Sequence, residues 1–585
     1  MANVTRDDLA EVLEEIATLM ELKGENPFKT RAYRNGAEIV RSFDGDIVKR
    51  AEEGDLDGIK GIGSALQDKL HELATTGELG FHQSLRAEFP QGLFELFEIQ
   101  GLGPKKIKAL YDKLEVDSVA RLRELCESGE VSQLSGFGKK TAEKIVAAIE
   151  QREKFADRFR LGSVAPLVET FLERLKGLDA TIRAEAAGSY RRSKETVHDV
   201  DFLVASSRPE EVSDFFVNQD EVGDVIAHGK TKSSVRLDNG LQCDLRVVSN
   251  AEYPFALQYF SGSKEHNVAL RGRALKQQLS LNEYGLKPVE GSDREDPTPD
   301  IEDEAGIYRE LGLDWVPPEL RENRGEIEAA EAGELPNLVE LSQLCGTFHN
   351  HTTASDGRNT LREMAEAAMD HGLEYLGIAD HSKASFQANG LDEERLLKQV
   401  EEIRELNDEF EQKGLNFKIF AGSEVDILKD GSLDFSDEIL GQLDYCVASV
   451  HNSFTLPEAE MTERIIRAIS NPHVTMLGHL TGRLLLKREA YAVDINAVIE
   501  AAAETDTIIE LNCNPIRLDM DWRWWKQARD KGVKTSINPD AHRTEQLQFL
   551  AYGIRLARKG WLRKEDVVNT KNLAEVTEWL KQRKA

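Results

Sequence analysis

Two aspartates one residue apart, Asp199 and Asp201, sit in an apolar run with Val200, Phe202, Leu203 and Val204. Residues two apart on a strand share a face, so a strand here projects both carboxylates together. Asp-x-Asp alone is equally the mark of a solvated strand end. Three neighbours favour a cradle for divalent metal instead. Upstream, Gly188-Ser189 forms a flexible turn whose N–H and hydroxyl groups can approach a phosphate. Arg191, Arg192 and Lys194 add donors, and a second strand-like run, Leu241–Val248, carries Asp244 as a third carboxylate. Two metals held about 3.5–4 Å apart by such carboxylates activate an attacking hydroxyl and stabilise the leaving oxygen of an in-line phosphoryl displacement. The chemistry expected is nucleotidyl transfer.

A second set of chemical groups fills the C-terminal part, where eight of the 13 histidines lie beyond residue 340. In chain order the candidates are His349, His351, Asp356, His381, Glu424, His451, His479, Asp540 and His542. Mixed imidazole and carboxylate suits Mn2+, Zn2+ or Fe2+ better than Ca2+ or Mg2+ alone. Nine candidates are too many for one ion, whereas His371 and His473 fall outside the pattern and read as ordinary histidines.

Different elements must position the two sets. Strand-rich sequence from Ile182 to Val248 follows a helical stretch, Arg152–Leu178, and Ala251–Gly285 turns helical again. Beyond residue 340, short apolar runs alternate with helix-like stretches, the pattern of a parallel, barrel-like sheet with its functional groups at the carboxyl ends of the strands. Residues 1–150 read as all helix. A Gly-apolar-Gly turn recurs there before a helix, at Gly61 and Gly63, Gly101 and Gly103, and Gly136 and Gly138. Such a turn aims free backbone N–H groups and the positive helix end at an anion, the helix-hairpin-helix way of gripping DNA by its phosphates.

The formal net charge is −31, against the basic footprint usual for a nucleic-acid partner. Residues 287–340 alone hold 17 acidic against 5 basic residues, a net −12; within them Lys287–Gly306 reads as a solvated loop and Glu322–Pro336 as an acidic, partly helical linker. Basic residues gather instead at Lys105–Lys108, Lys139-Lys140, Arg152–Arg160, Arg191–Lys194 and Arg271–Lys276. Neither a leader peptide nor a membrane-spanning run is evident, so a cytoplasmic protein is expected. The five cysteines are odd in number and widely spaced, and read as reduced core residues.

The segment GSYRRSKETVHDVDFLV, with Asp244 and Tyr259-Phe260-Ser261-Gly262-Ser263-Lys264-Glu265-His266-Asn267, resembles the palm and thumb of family X DNA polymerases. The resemblance implies that Gly188, Ser189 and Arg192 bind the triphosphate and that Tyr259, Phe260, Gly262, Asn267 and Arg271 face the incoming nucleotide. Asp199, Asp201 and Asp244 would be the catalytic carboxylates, holding Mg2+ or Mn2+. His198 and Ser261 depart from the family's usual glycine and threonine. The N-terminal part resembles the family's lyase domain, which implies Lys69 as a Schiff-base lysine and Lys29 and Tyr33 as 5′-phosphate contacts. Lys144 takes the same place in the third repeat, so Lys69 is equally read as a surface lysine.

The motifs H-x-H-x4-D, D-H-S, G-x-E-V-D, V-H-N, G-H-L and P-D-A-H resemble the polymerase-and-histidinol-phosphatase (PHP) domain. That likeness implies a distorted (β/α)7 barrel holding up to three ions, Mn2+ and/or Zn2+. The fold expected is multidomain, α+β and α/β: a helical DNA-binding region at 1–150, palm and thumb at 151–324, an acidic linker at 325–342 and a PHP barrel at 343–585. The expected function is gap filling on primed DNA with dNTPs by a monomer whose barrel acts as a 3′–5′ exonuclease or 3′-end-processing phosphoesterase. Two other readings are a small-molecule phosphatase tethered to a DNA-binding module, and a non-catalytic DNA-end scaffold.

Overall fold

A computed structural model describes residues 4–43, 45–99 and 101–584. The chain divides into two compact units, Met1–Asp157 and Arg158–Ala585. The described residues of the first form helices joined by short turns. Each of its Gly-apolar-Gly turns is built alike: Ile62, Leu102 and Phe137 are buried and anchor the turn, and each donates its N–H to a carbonyl three residues back, on Ile59, Ile99 and Leu134. Gly61, Gly101 and Gly136 take φ of +96°, +88° and +90°, the left-handed region that favours glycine. Gly63, Gly103 and Gly138 then cap the helices Ser64–Thr76, Pro104–Leu114 and Lys139–Phe155 with no side-chain bond to their first N–H groups.

The second unit opens with a five-stranded mixed sheet in the order Arg183–Ala186, Asp199–Ala205, Gln242–Val248, Lys232–Leu237, Val222–His228. Its two central strands, Asp199–Ala205 and Gln242–Val248, run parallel, with Asp201 paired to Asp244. Both faces of Asp199–Ala205 are covered. Phe202 packs with Phe171 and Phe216 from helices Leu161–Lys176 and Pro209–Val217, whereas Leu203 and Ala205 meet helix Tyr253–Ser261. Asp199 and Asp201 share the Leu203 face, at the open end of the strand.

Helix Lys264–Lys276 continues the thumb, but the helical stretch expected to reach Gly285 stops there. Leu279–Asn282 and Gly285–Pro288 form a hairpin, because Leu279 and Leu281 alternate with exposed Ser280 and Asn282. Residues 325–342, expected as a partly helical acidic linker, contain the helix Glu326–Ala332, but it buries Ile327 and Ala330 in the thumb core. Buried Glu326 lies 2.7 Å from Nδ1 of His266, whose Nε2 lies 2.9 Å from the Tyr308 hydroxyl.

Beyond residue 345 come parallel strands in sequence order: Gly346–Thr347, Tyr375–Ile378, Lys418–Ala421 continuing as Glu424–Asp426, Val447–Ser449, Met476–Leu477, Ile508–Asn512 and Thr535–Asn538. Parallel bridges His381↔Glu424 and Asn350↔Ala541 join the sheet segments into a ring. Counted with Lys418–Asp426 as one interrupted strand, this is the seven-stranded α/β barrel that the motifs implied. Phe348, Tyr375, Phe420, Tyr445 and Ile508 fill its interior, and Val576 and Leu580 of helix Leu573–Lys584 pack into the same cluster. With the interior packed, the polar groups are left to the strands' carboxyl ends. Four of the five free cysteines are buried, while Cys345 is half-buried.

Candidate active sites

On the palm, register does what spacing alone could not. The parallel pairing sets Asp244 directly beside Asp201, with Asp199 two residues along the same face. Burial and then the charges of Asp199 and Asp244 push the Asp201 carboxyl up to about 7, against the pull of Arg246 and Arg192. Burial and then the charge of Asp244 raise the Asp199 carboxyl too, and carboxylates crowded together in this way suit a cation. Gln242 donates to Asp244 Oδ1 at 3.2 Å. Gly188 is required where it stands, because its φ is +60° and an added Cβ would overlap the Asp201 carboxylate. The turn is tied to the strand by the Ala187 N–H donated to the Asp201 carbonyl at 2.8 Å.

Ser189 and Arg192 lie on or next to the single helical turn Gly188–Arg191. Arg192 donates from Nε to Glu322 at 3.1 Å and from Nη1 to the Ser261 carbonyl at 2.8 Å, so it faces the end of the thumb's first helix. That end carries Tyr259 and Phe260, packed edge to face at 5.1 Å, and Gly262. Asn267, buried, donates to the Tyr259 carbonyl at 2.7 Å, and Arg271 Nε donates to the Asn267 carbonyl at 3.2 Å. The neighbouring Arg191 makes a two-pronged pair with Glu304, which also accepts from buried Arg321 at 2.6 Å. In the first unit, Lys69 donates to the Ala65 carbonyl of its own helix and sits 5.0 Å over the Phe81 ring, on which Tyr33 stacks.

At the barrel mouth, all nine candidates come together. Among the described residues, ligand atoms converge in three overlapping groups: His351, Asp356, His381 and His542; His349, His351 and Asp540; and His381, Glu424 and His451. His479 joins through Glu424, its Nε2 lying 2.9 Å from Oε1. The palm aspartates form no comparably tight group among the described residues. Glu424 is central, with His381 Nδ1 at 2.9 Å, His451 Nε2 at 3.0 Å and His349 Nε2 at 3.3 Å.

The donor set fits divalent ions. Both ring nitrogens of His351 are buried without a hydrogen-bond partner, and His349 Nε2 and His381 Nδ1 lie close to Glu424 but outside hydrogen-bond geometry, an arrangement that costs free energy unless a cation sits among these groups. Burial and the adjacent His542 and His381 hold the His351 ring down to about 4, so at neutral pH it is uncharged and keeps one ring nitrogen's lone pair for a ligand bond. His479 and Asp540 adopt positive φ of 22° and 52°, backbone strain characteristic of functional sites.

Sequence reasoning missed three supporting carboxylates. Glu510, fully buried, lies 2.6 Å from His349 Nδ1 and accepts the His479 N–H at 2.8 Å. Asp426 lies 3.3 Å from His451 Nδ1, and Asp380 accepts from Thr352 and Gln399. The available signal was an acid inside a wholly buried strand, as in Ile508-Ile509-Glu510-Leu511. Arg517, with Nε 3.6 Å from Asp540, was also not foreseen.

Fold and sites together define a class: a helix-hairpin-helix DNA-binding unit with a nucleotidyltransferase palm, its thumb and a metal-dependent phosphoesterase barrel. Family models agree, with a helix-hairpin-helix domain over residues 4–79, a SAM-like helix-hairpin-helix tandem over 94–151, a DNA polymerase beta thumb over 256–322 and a PHP domain over 347–514. The DNA polymerase/3′-5′ exonuclease PolX of Bacillus subtilis (strain 168) is 39% identical over 580 residues, covering 99% of each chain. A probable phosphatase of Thermoanaerobacter sp. (strain X514) is 28% identical over 247 residues, 40% of this chain and 94% of its own. A probable phosphatase of Acetivibrio thermocellus is 28% identical over 245 residues, 40% of this chain and 95% of its own. The chain belongs to the bacterial family X DNA polymerases with a C-terminal PHP domain. It is an enzyme, a DNA polymerase whose PHP domain carries metal-dependent exonuclease or phosphoesterase chemistry. Among the described residues, no helix is long and apolar enough to cross a membrane.

Proposed function

We propose that this chain fills short gaps during DNA repair as a cytoplasmic monomer and uses its barrel to trim or clean the 3′ end. Residues 1–150 grip DNA phosphates through Gly61, Gly63, Gly101, Gly103, Gly136 and Gly138, residues 151–324 transfer nucleotides, and residues 343–585 cleave phosphoesters. In the palm, Asp199, Asp201 and Asp244 hold Mg2+ or Mn2+, and at the barrel mouth the nine ligands hold up to three ions, Mn2+ and/or Zn2+. Bound at these centres, the ions supply the charge that activates an oxygen nucleophile and stabilises a leaving oxygen.

This chain's own residues do the rest. Asp244, beside Asp201, takes the primer hydroxyl's proton, while Ser189 and Arg192 orient the dNTP phosphates so that the primer oxygen lies in line with the α-phosphorus. Tyr259, Phe260, Gly262, Asn267 and Arg271 seat the sugar and base. In the barrel, Glu510 and Asp426 fix the His349 and His451 rings. The observation that carries the reading is that one chain sets three carboxylates side by side on the palm strands and gathers imidazoles and carboxylates at the barrel mouth.

A labelled, mismatched primer on gapped DNA, incubated in Mn2+ with and without dNTPs, tests it. Asp201→Ala is expected to abolish extension and keep shortening, and His349→Ala to do the reverse. Full-length resemblance of the barrel to probable phosphatases favours a second reading, hydrolysis of small phosphomonoesters. Wild-type extension without any shortening would select it.

A further inference from the structure

Lys559 is fully buried at the end of helix Leu550–Lys559, on the outside of the barrel. A buried ammonium is costly unless each of its three donors is used. All three are, and none on a barrel group: Lys559 Nζ donates to the Arg192 carbonyl at 2.8 Å, the Glu319 carbonyl at 3.2 Å and Glu322 Oε1 at 2.7 Å. One helical turn earlier, Arg555 donates to the Tyr190 carbonyl at 2.7 Å and to Ser193 Oγ at 3.3 Å, its guanidinium 4.4 Å over the Tyr190 ring. The same barrel helix therefore bonds three successive parts of the Gly188–Ser193 turn, at Tyr190, Arg192 and Ser193.

The helix is itself firmly seated. An added Cβ at Gly553 would overlap Ile537 and Cys513, so it lies hard against the barrel. Trp561, just beyond it, packs into the thumb core. Glu322 is shared by Lys559, Arg192 and Lys194, the last at 3.1 Å. Each cation paired with Glu322 reduces the negative charge that the carboxylate presents to the others. Without Lys559, Glu322 becomes a stronger counterion for Arg192, in competition with an incoming triphosphate, and the Arg192 carbonyl loses its buried donor. Both effects weaken nucleotide binding.

We propose that Lys559, with Arg555 beside it, is a positioning residue for nucleotidyl transfer, by which the phosphoesterase barrel holds the polymerase's triphosphate-binding turn in shape. The inference rests on the reading of Arg192 as a triphosphate ligand. Single-nucleotide gap filling by the full-length chain tests both together, comparing wild type with Arg192→Ala, Lys559→Met and Arg555→Met. Barrel phosphoesterase turnover and the thermal midpoint report folding. Arg192→Ala must raise the KM for dNTP, and Lys559→Met is expected to raise it about tenfold, the scale of one buried charged hydrogen bond, with kcat within about twofold. Arg555→Met is expected to raise it about threefold on the same scale. If Lys559→Met loses its midpoint and phosphoesterase turnover as well, Arg555→Met decides. A dNTP KM within about twofold of wild type in the folded variants, while Arg192→Ala raises it, overturns the inference. An unchanged KM in Arg192→Ala overturns the underlying reading of the turn instead.

Discussion

Replacing Glu510 by glutamine separates a ligand's position from its identity. One Glu510 oxygen lies 2.6 Å from His349 Nδ1 and accepts from Asn538 at 3.1 Å, while the other accepts the His479 N–H at 2.8 Å and Asn512 at 3.3 Å. Glutamine retains one acceptor oxygen and turns an NH2 towards two of these donors. Two buried donors lose their acceptor, at about 1–3 kcal/mol each, or about 2–6 kcal/mol together. The part that falls on His349 also frees its ring to rotate and change tautomer, which weakens metal affinity about 10–100-fold. Manganese titration of the chelator-stripped, full-length protein by calorimetry, with thermal midpoints at each metal concentration, measures both parts. The variant is expected to bind more weakly and to melt lower, while extension of a primed template stays at the wild-type rate because the Glu510 carboxylate bonds only barrel groups. Affinity within twofold of wild type and an unmoved midpoint would refute the assignment of Glu510 as the group that fixes His349.

Gly188→Ala places a Cβ against Asp201 and forces a left-handed φ on alanine, so extension is expected to fall about 100-fold or more as the carboxylate is displaced; barrel turnover in the same preparation should not change, and retained extension would show that the turn does not set Asp201. Burial would raise the Glu304 carboxyl, but Arg321 and Arg191 outweigh it and hold it down to about 2. The stability that this depression contributes is complete above the ordinary carboxylate value and is lost as pH falls towards 2, about 3 kcal/mol at most. Wild type should therefore lose its stability advantage over Glu304→Gln between pH 5 and about 2.5 in acid melts, whereas a gap that stays constant over that range would contradict the pairing.

Much of this molecule was legible in one dimension because its chemistry is locally encoded. Gly-apolar-Gly turns need only their own glycines and one buried anchor, as Ile62, Leu102 and Phe137 show. The Asp199-Val200-Asp201 pair shares a face through the twofold period of a strand, and the barrel's ligands follow short apolar runs because parallel strands expose their carboxyl ends. Long-range pairing was not legible. Asp244 acquires its place beside Asp201 from the parallel register of two strands more than forty residues apart, and no spacing rule encodes that register. Glu510 and Asp426 escaped notice because a carboxylate that orients a ligand is distinguished only by the ring it touches. The acidic stretch after residue 320 read as a linker by composition, yet Glu322 and Glu326 are partnered by Arg192, Lys194, Lys559 and His266, contacts that exist only once thumb, palm and barrel have packed. Residue types and local spacing thus determined which chemistries this chain carries. Tertiary structure decided which carboxylates meet, which histidines are held, and that a barrel lysine reaches the polymerase turn, because each depends on contacts between segments far apart in sequence.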